Sequence, residues 1–127
     1  MVGFNWYISF LASIESRNFQ RVAANLADQC TLLINSSEMN RDKANIIVAL
    51  ESFWRCFGRF DHELLNILGN DHSFSCELLI HCCVGTAKID GLRSVWIIDR
   101  NENGQVTSLR LCGDYSKINS FIFAVAE

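Results

Sequence analysis

Proline is absent from this chain of 127 residues. Every turn must therefore rest on Gly, Asn, Asp and Ser. Cations are also sparse: eleven Lys and Arg stand against fourteen Asp and Glu, for a net charge of -3, and the basic residues are scattered. Capture of nucleic acid needs cations clustered on one face, so that class of function is set aside. No apolar run is long enough to span a bilayer. The apolar opening, Val2 to Leu11, lacks a basic start and a small-residue cleavage site, and it runs into polar Glu15-Ser16-Arg17-Asn18. It reads as a helix of the mature protein rather than a signal peptide. The chain has no Cys-x-x-Cys pair, no phosphate-cradling glycine loop and no nucleophile elbow. His81 and Cys83 share a strand face, but two ligands do not make a metal site. No metal or cofactor is expected.

Cysteine, by contrast, is plentiful: Cys30, Cys56, Cys76, Cys82, Cys83 and Cys112. Each sits among apolar neighbours, where a thiol behaves as a small hydrophobe. Free thiols in a reducing compartment are expected, and with them a cytoplasmic location. Half the residues are hydrophobic, enough for one domain, 1–127, to bury a core.

Periodicity gives the order of elements. Residues 3–16 read as a helix with Phe4, Tyr7, Ile8, Leu11 and Ile14 on one stripe and Trp6 and Phe10 on a second apolar row. Asn18 caps a short helix over Phe19 to Ala27. A strand from Cys30 to Asn35 follows, then a polar loop, Asn35 to Asn40. A third helix, 41–57, buries Ile46, Leu50, Phe53, Trp54 and Phe57 and is stopped by Gly58. Strands are expected at 61–68 and 73–84. On the second of these, Phe74, Cys76, Leu78, Ile80, Cys82 and Val84 take one face, and Glu77, Leu79, His81 and Cys83 the other. A hairpin closes the series, with strands at 92–98 and 105–114 around Asp99-Arg100-Asn101-Glu102-Asn103-Gly104. Ser116 then caps a terminal helix. Helices first and a meander after argue α+β, in the order α-α-β-α-β-β-β-β plus a short C-terminal helix.

The closing hairpin carries Gly104, Val106 and, eight residues after the valine, Asp114. The segment from Phe10 through Asn18 to Ala23 and the stretch Ala27-Asp28-Gln29-Cys30-Thr31 match it in kind. Together with the order of elements, these residues resemble the nuclear transport factor 2-like superfamily, including its SnoaL-like polyketide cyclases. The resemblance covers nearly the whole chain. It implies a cone-like, curved, mixed or antiparallel sheet wrapped on N-terminal helices, an apolar pocket for a small molecule, and a homodimer. It also implies an isomerase, cyclase or dehydratase that needs no cofactor, or else a non-catalytic binding or assembly module of the same fold.

Candidate residues follow. Asp114 matches the cyclases' general acid/base, and a carboxylate on an apolar pocket wall has its pKa raised toward neutrality. The competing reading has Asp114 capping the terminal helix or pairing with Arg110. His81 is a proton shuttle if its strand face lines the cone. Tyr7 can donate a hydrogen bond to a developing oxyanion. Trp6, Phe10, Trp54, Phe57 and Trp96 are candidates for the pocket wall, and equally for plain core. His62 and His72 read as exposed. Two departures from the enzymes stand out. Leu111 occupies the place of the epoxide hydrolases' second carboxylate. Arg110 and Lys117-Ile118-Asn119-Ser120 replace the cyclases' aromatic residue and Gln-Leu-Gly run.

Overall fold

The computed structural model describes residues 2–35, 37–55 and 57–115. Helix α1 (Val2–Glu15) ends where Arg17 takes a left-handed backbone, φ 60°, which turns the chain into α2 (Phe19–Ala24). The Asn18 side chain accepts a hydrogen bond from the Arg21 N–H, satisfying a donor that the helix start would otherwise leave free. Six strands follow or flank a third helix: β1 (Leu26–Ile34), β2 (Ser37–Asp42), α3 (Lys43–Arg55), β3 (Arg59–Gly69), β4 (Ser73–Val84), β5 (Ala87–Arg100) and β6 (Val106–Gly113).

The strands make one sheet in the order β2-β1-β6-β5-β4-β3. Only the β1–β6 pairing is parallel, with Leu32 beside Leu109; the others are antiparallel. The sheet is thus mixed, and register shifts interrupt every ladder. Such bulges bend strands and increase twist, which is how a sheet curls into a cone. Helices α1 and α3 cover the inner face. Tyr7, Phe10, Leu11 and Ile14 of α1 and Ile46, Leu50 and Trp54 of α3 are buried there against Phe74, Leu78, Ile80 and Ile98. Residues 7, 10, 11 and 14 are one helical face. Ile8, expected in that stripe, is 44% exposed instead, and Phe10 takes its place in the core.

The sequence reading needs two further corrections. The polar loop at Asn35 to Asn40 contains a strand, β2, and α3 starts at Lys43 rather than 41. β2 has no alternation of apolar residues to announce it; it is an edge strand held by its backbone ladder to β1. The start of α3 is set by Asp42, whose carboxylate accepts the Asn45 N–H at 2.9 Å as an N-cap does. The terminal helix expected from Ser116 lies outside the described residues.

The closing hairpin has the expected position, with one irregularity in its pairing. Ser108 pairs with Asp99, whereas Val106 pairs with Arg100, so Thr107 is an extra residue on β6. Val106 is buried, and after the extra residue the buried positions are Leu109 and Leu111. Asn101 organises the turn, its side-chain oxygen accepting the Asn103 and Gln105 N–H groups at 3.0 Å. Gly104 has φ 76°, and a Cβ there would stand 2.8 Å from the Arg100 guanidinium. Any other residue would be strained in backbone and would displace that side chain.

Candidate active site on the inner face

The inner face of the sheet is apolar and aromatic. Phe60 stands at its centre, edge-to-face with Trp54 at 5.1 Å, Phe57 at 4.9 Å and His62 at 4.8 Å. Trp96 also meets the His62 ring edge-to-face, at 5.1 Å. Tyr7 packs edge-on to Phe74. Of the residues the sequence suggests for a pocket wall, Tyr7, Phe10, Trp54, Phe57 and Trp96 are gathered into this cluster. Trp6 lies at its margin. It stacks on Phe10, donates its indole N–H to the Asn25 side chain at 3.1 Å, and is covered by the Arg100 guanidinium at 4.4 Å.

Tyr7 is wholly buried; its hydroxyl makes no well-formed hydrogen bond, although the Cys76 thiol, a weak partner, interacts with it. Burial is the chief reason its pKa is raised far above the usual phenol value; the Cys76 thiol, Tyr115 and Glu15 are its electrostatic neighbours and add to the shift. Tyr7 therefore stays a neutral donor at every ordinary pH. Burial likewise pushes the Cys76 thiol up to about 12, so it is no nucleophile. Tyr115, the first buried residue after β6, joins its hydroxyl to Ser94 Oγ, and Ser94 in turn donates to the Cys112 carbonyl at 3.1 Å. The Trp96 indole N–H is buried and makes no well-formed hydrogen bond, with the Tyr115 hydroxyl as the group it interacts with.

His62 overturns the expectation that it is exposed. Its side chain has 0% of its surface accessible, because Phe60, His62 and Leu64 alternate inward along β3 and the Phe60 and Trp96 rings close over the imidazole. Glu15, the last residue of α1, reaches it. One carboxylate oxygen of Glu15 lies 2.8 Å from the His62 backbone N–H and 3.2 Å from Nδ1. A carboxylate only accepts, so Nδ1 carries the proton. The second ring nitrogen, Nε2, is buried and has no partner. A sequence signal existed: Phe60, His62 and Leu64 keep the period of a half-buried strand. The adjacent Asp61 and Glu63 masked it.

His81 lies on the opposite face. Its neighbours Ile80 and Cys82 are buried, so by strand alternation its ring points away from the core. There Nδ1 accepts the Gly91 N–H at 3.2 Å, with Asp90 at 3.6 Å and Glu63 at 3.8 Å. Asp114 is exposed just past the end of β6, between Gly113 and buried Tyr115. The extra residue at Thr107 accounts for this. Without it, Asp114 would share the buried side of Val106. Arg110, the suggested partner of Asp114, reaches Asp99 at 3.5 Å. The structure thus brings Tyr7 together with Trp96 and leaves His81 and Asp114 outside the cluster.

Comparison with known proteins bears on the architecture. No protein-family model matches the chain, and no curated protein is similar to it in sequence. Solved structures do match. A candidate SnoaL-like polyketide cyclase from Shewanella putrefaciens superposes with a TM-score of 0.80 at 11% identity, covering 98% of this chain and 87% of that one. The chain has the nuclear transport factor 2-like fold. A candidate polyketide cyclase from Xanthomonas campestris shares this fold with a TM-score of 0.77 and 14% identity over 94% of this chain and 96% of its own. An epoxide hydrolase from M. tuberculosis, of the LEH-like type, matches at 0.75 and 16% over 96% and 90%. At these identities the likeness establishes the nuclear transport factor 2-like architecture and no activity.

Proposed function

We propose that the chain binds a small, mainly apolar, oxygen-bearing molecule against the inner face of the sheet and acts on it by proton transfer, as a cofactor-independent isomerase, cyclase or dehydratase. One observation carries this reading: Nε2 of His62 is buried in an aromatic surround without a partner, while the Tyr7 hydroxyl and the Trp96 N–H, also buried, make no well-formed hydrogen bond and have only the Cys76 thiol and the Tyr115 hydroxyl to interact with. A buried polar atom without a partner costs about 1–3 kcal/mol, so an arrangement that keeps His62 Nε2 bare and its neighbours poorly satisfied calls for a reason. A ligand with a carbonyl or hydroxyl group supplies one. The named relatives of the same fold, cyclases and an epoxide hydrolase, are consistent with chemistry on such molecules. Asp114 and His81 are assigned no part in the proton transfer.

The test is titration with β-naphthol, followed by the fluorescence of the buried Trp54 and Trp96. Saturable quenching is expected, with affinity reduced about tenfold in Tyr7→Phe, the value of one hydrogen bond near 1.4 kcal/mol. An unquenched titration for β-naphthol and its ketone relatives sinks the reading. A second reading has its own support, because the rings of Trp54, Phe57, Phe60, His62 and Trp96 already pack against one another. In that case the inner face is filled by its own side chains and the protein is an assembly module. A homodimer through the outer sheet face, where Val95 is exposed, and a cytoplasmic site suited to its free thiols accompany either reading. Sedimentation and localisation would test them.

A further inference from the structure

We propose that His62 is the proton-transferring residue of the inner face and that Glu15 is the residue that positions it. The inference rests on the ligand-binding reading above and adds the identity of the base. Three features of the geometry carry it. First, the imidazole packs edge-to-face with two aromatic rings, Phe60 at 4.8 Å and Trp96 at 5.1 Å, and is wholly buried, so its orientation is restricted before any ligand arrives. Second, a single Glu15 oxygen takes both the backbone N–H and Nδ1 of His62. That double anchor ties the end of α1 to β3 and selects the tautomer with the proton on Nδ1. Third, Nε2 is then a free base, turned away from Glu15 by the geometry of a five-membered ring, and buried without a partner.

This is the division of labour of a base and its orienting carboxylate. A ligand ketone placed with its carbonyl oxygen on the Tyr7 hydroxyl would present an adjacent C–H bond for His62. Nε2 takes that proton, and the electron pair of the broken bond becomes the C=C bond of an enolate. The oxygen, now negative, is held by the Tyr7 O–H. The imidazolium keeps Nδ1–H on Glu15, whose charge stabilises it, and returns the Nε2 proton to carbon. The balance is closed: no oxidant, reductant or metal is consumed. Glu15 is partly exposed, 33% of its side chain, and so stays linked to solvent, while the imidazole does not.

The experiment uses the full chain in deuterium oxide with β-tetralone as the probe. Binding is read by tryptophan fluorescence, and deuterium uptake at the α-carbon by NMR. Wild-type protein is expected to bind the probe and to speed its exchange. His62→Gln and His62→Phe should each lower exchange about 100-fold, the scale of a lost general base, with the fold intact by circular dichroism. Glu15→Ala should lower exchange about tenfold at unchanged affinity. NMR of the imidazole nitrogens should show Nδ1 protonated and Nε2 bare in wild type, a mixture of tautomers in Glu15→Ala, and the native tautomer in Glu15→Gln. His81→Gln should exchange at the wild-type rate. Binding without exchange, exchange that survives both His62 substitutions, or a wild-type imidazole protonated at Nε2 overturns the assignment and leaves ligand binding standing. Absence of binding removes the ligand reading itself, and the base assignment falls with it.

Discussion

His62 and His81 lie on adjacent strands one register step apart, since His81 pairs with Asp61 and His62 with Ile80. Both have carboxylates beside them. One ring is sealed between aromatic groups with a single glutamate; the other sits in a field of charges with Asp90 and Glu63. The same contrast divides the two faces of the sheet. Outside, Arg93 pairs with Glu77, Arg110 with Asp99, Lys88 with Asp90 and Arg59 with Asp61. Inside, polar atoms are few and mostly buried, with the Glu15 carboxylate reaching in from the margin. Solvent screens the outer pairs, so they say little about function; the inner groups have no such screen, so each one there is informative.

The contrast can be broken most severely from the inside. Trp96→Ala removes a buried ring that contacts His62 and should cost about 3–5 kcal/mol in denaturant unfolding. A smaller loss means that the inner face is less tightly packed than its ring contacts indicate.

Alkali provides the next test. Burial raises the pKa of the thiols, Cys30 and Cys82 from 9.0 to about 11 and Cys76 to about 12. In the unfolded chain these groups ionise near pH 9.0, and in the folded chain they hold their protons. Their contribution is thus fully present below pH 9.0, and stability should fall from there up to about pH 12. A stability curve flat across that window contradicts the burial of these thiols.

Smaller effects sharpen the comparison. Glu15→Ala should cost about 1–2 kcal/mol, since it removes a charged acceptor of two hydrogen bonds that is itself partly wet. Arg93→Ala, on the outer face, should cost less than about 1 kcal/mol, and salt should erase even that. Tyr7→Phe should change stability least of all, because the lost hydroxyl makes no well-formed hydrogen bond in the folded protein and has only the weak Cys76 thiol beside it. If Tyr7→Phe proves as costly as Glu15→Ala, that hydroxyl is part of the scaffold, and its role as a donor to ligand fails.

Much of this was legible from periodicity. The inward face of β4 follows directly from the alternation of Phe74 through Val84. The aromatic cluster follows from the helical spacing of Tyr7, Trp54 and Phe57. What periodicity could not reach were single-residue events. The extra residue at Thr107 sends Asp114 outward, and no spacing rule announces it, because a bulge is set by how two strands meet. His62 was obscured for a related reason: its flanking acids suggest solvent, whereas strand alternation places them on the other side of the backbone. β2 was invisible because Ser37 to Asp42 has no alternation of apolar residues, and an edge strand can be held by its backbone ladder alone. Glu15 reads as the polar end of a helix until β3 is set beside it, a tertiary fact that local sequence does not contain.

The parallel union of β1 with β6 has a consequence in time. β1 leaves the ribosome well before β6, yet Leu32 must lie beside Leu109. Until β6 emerges, β1 and its hairpin partner β2 have an open edge and lack the neighbour that joins them to β5, β4 and β3. The sheet cannot close as it is made. Contacts so distant in sequence slow the search for the native state and prolong exposure of strand edges, so the nascent protein should depend on holdase chaperones more than a helical chain of equal length.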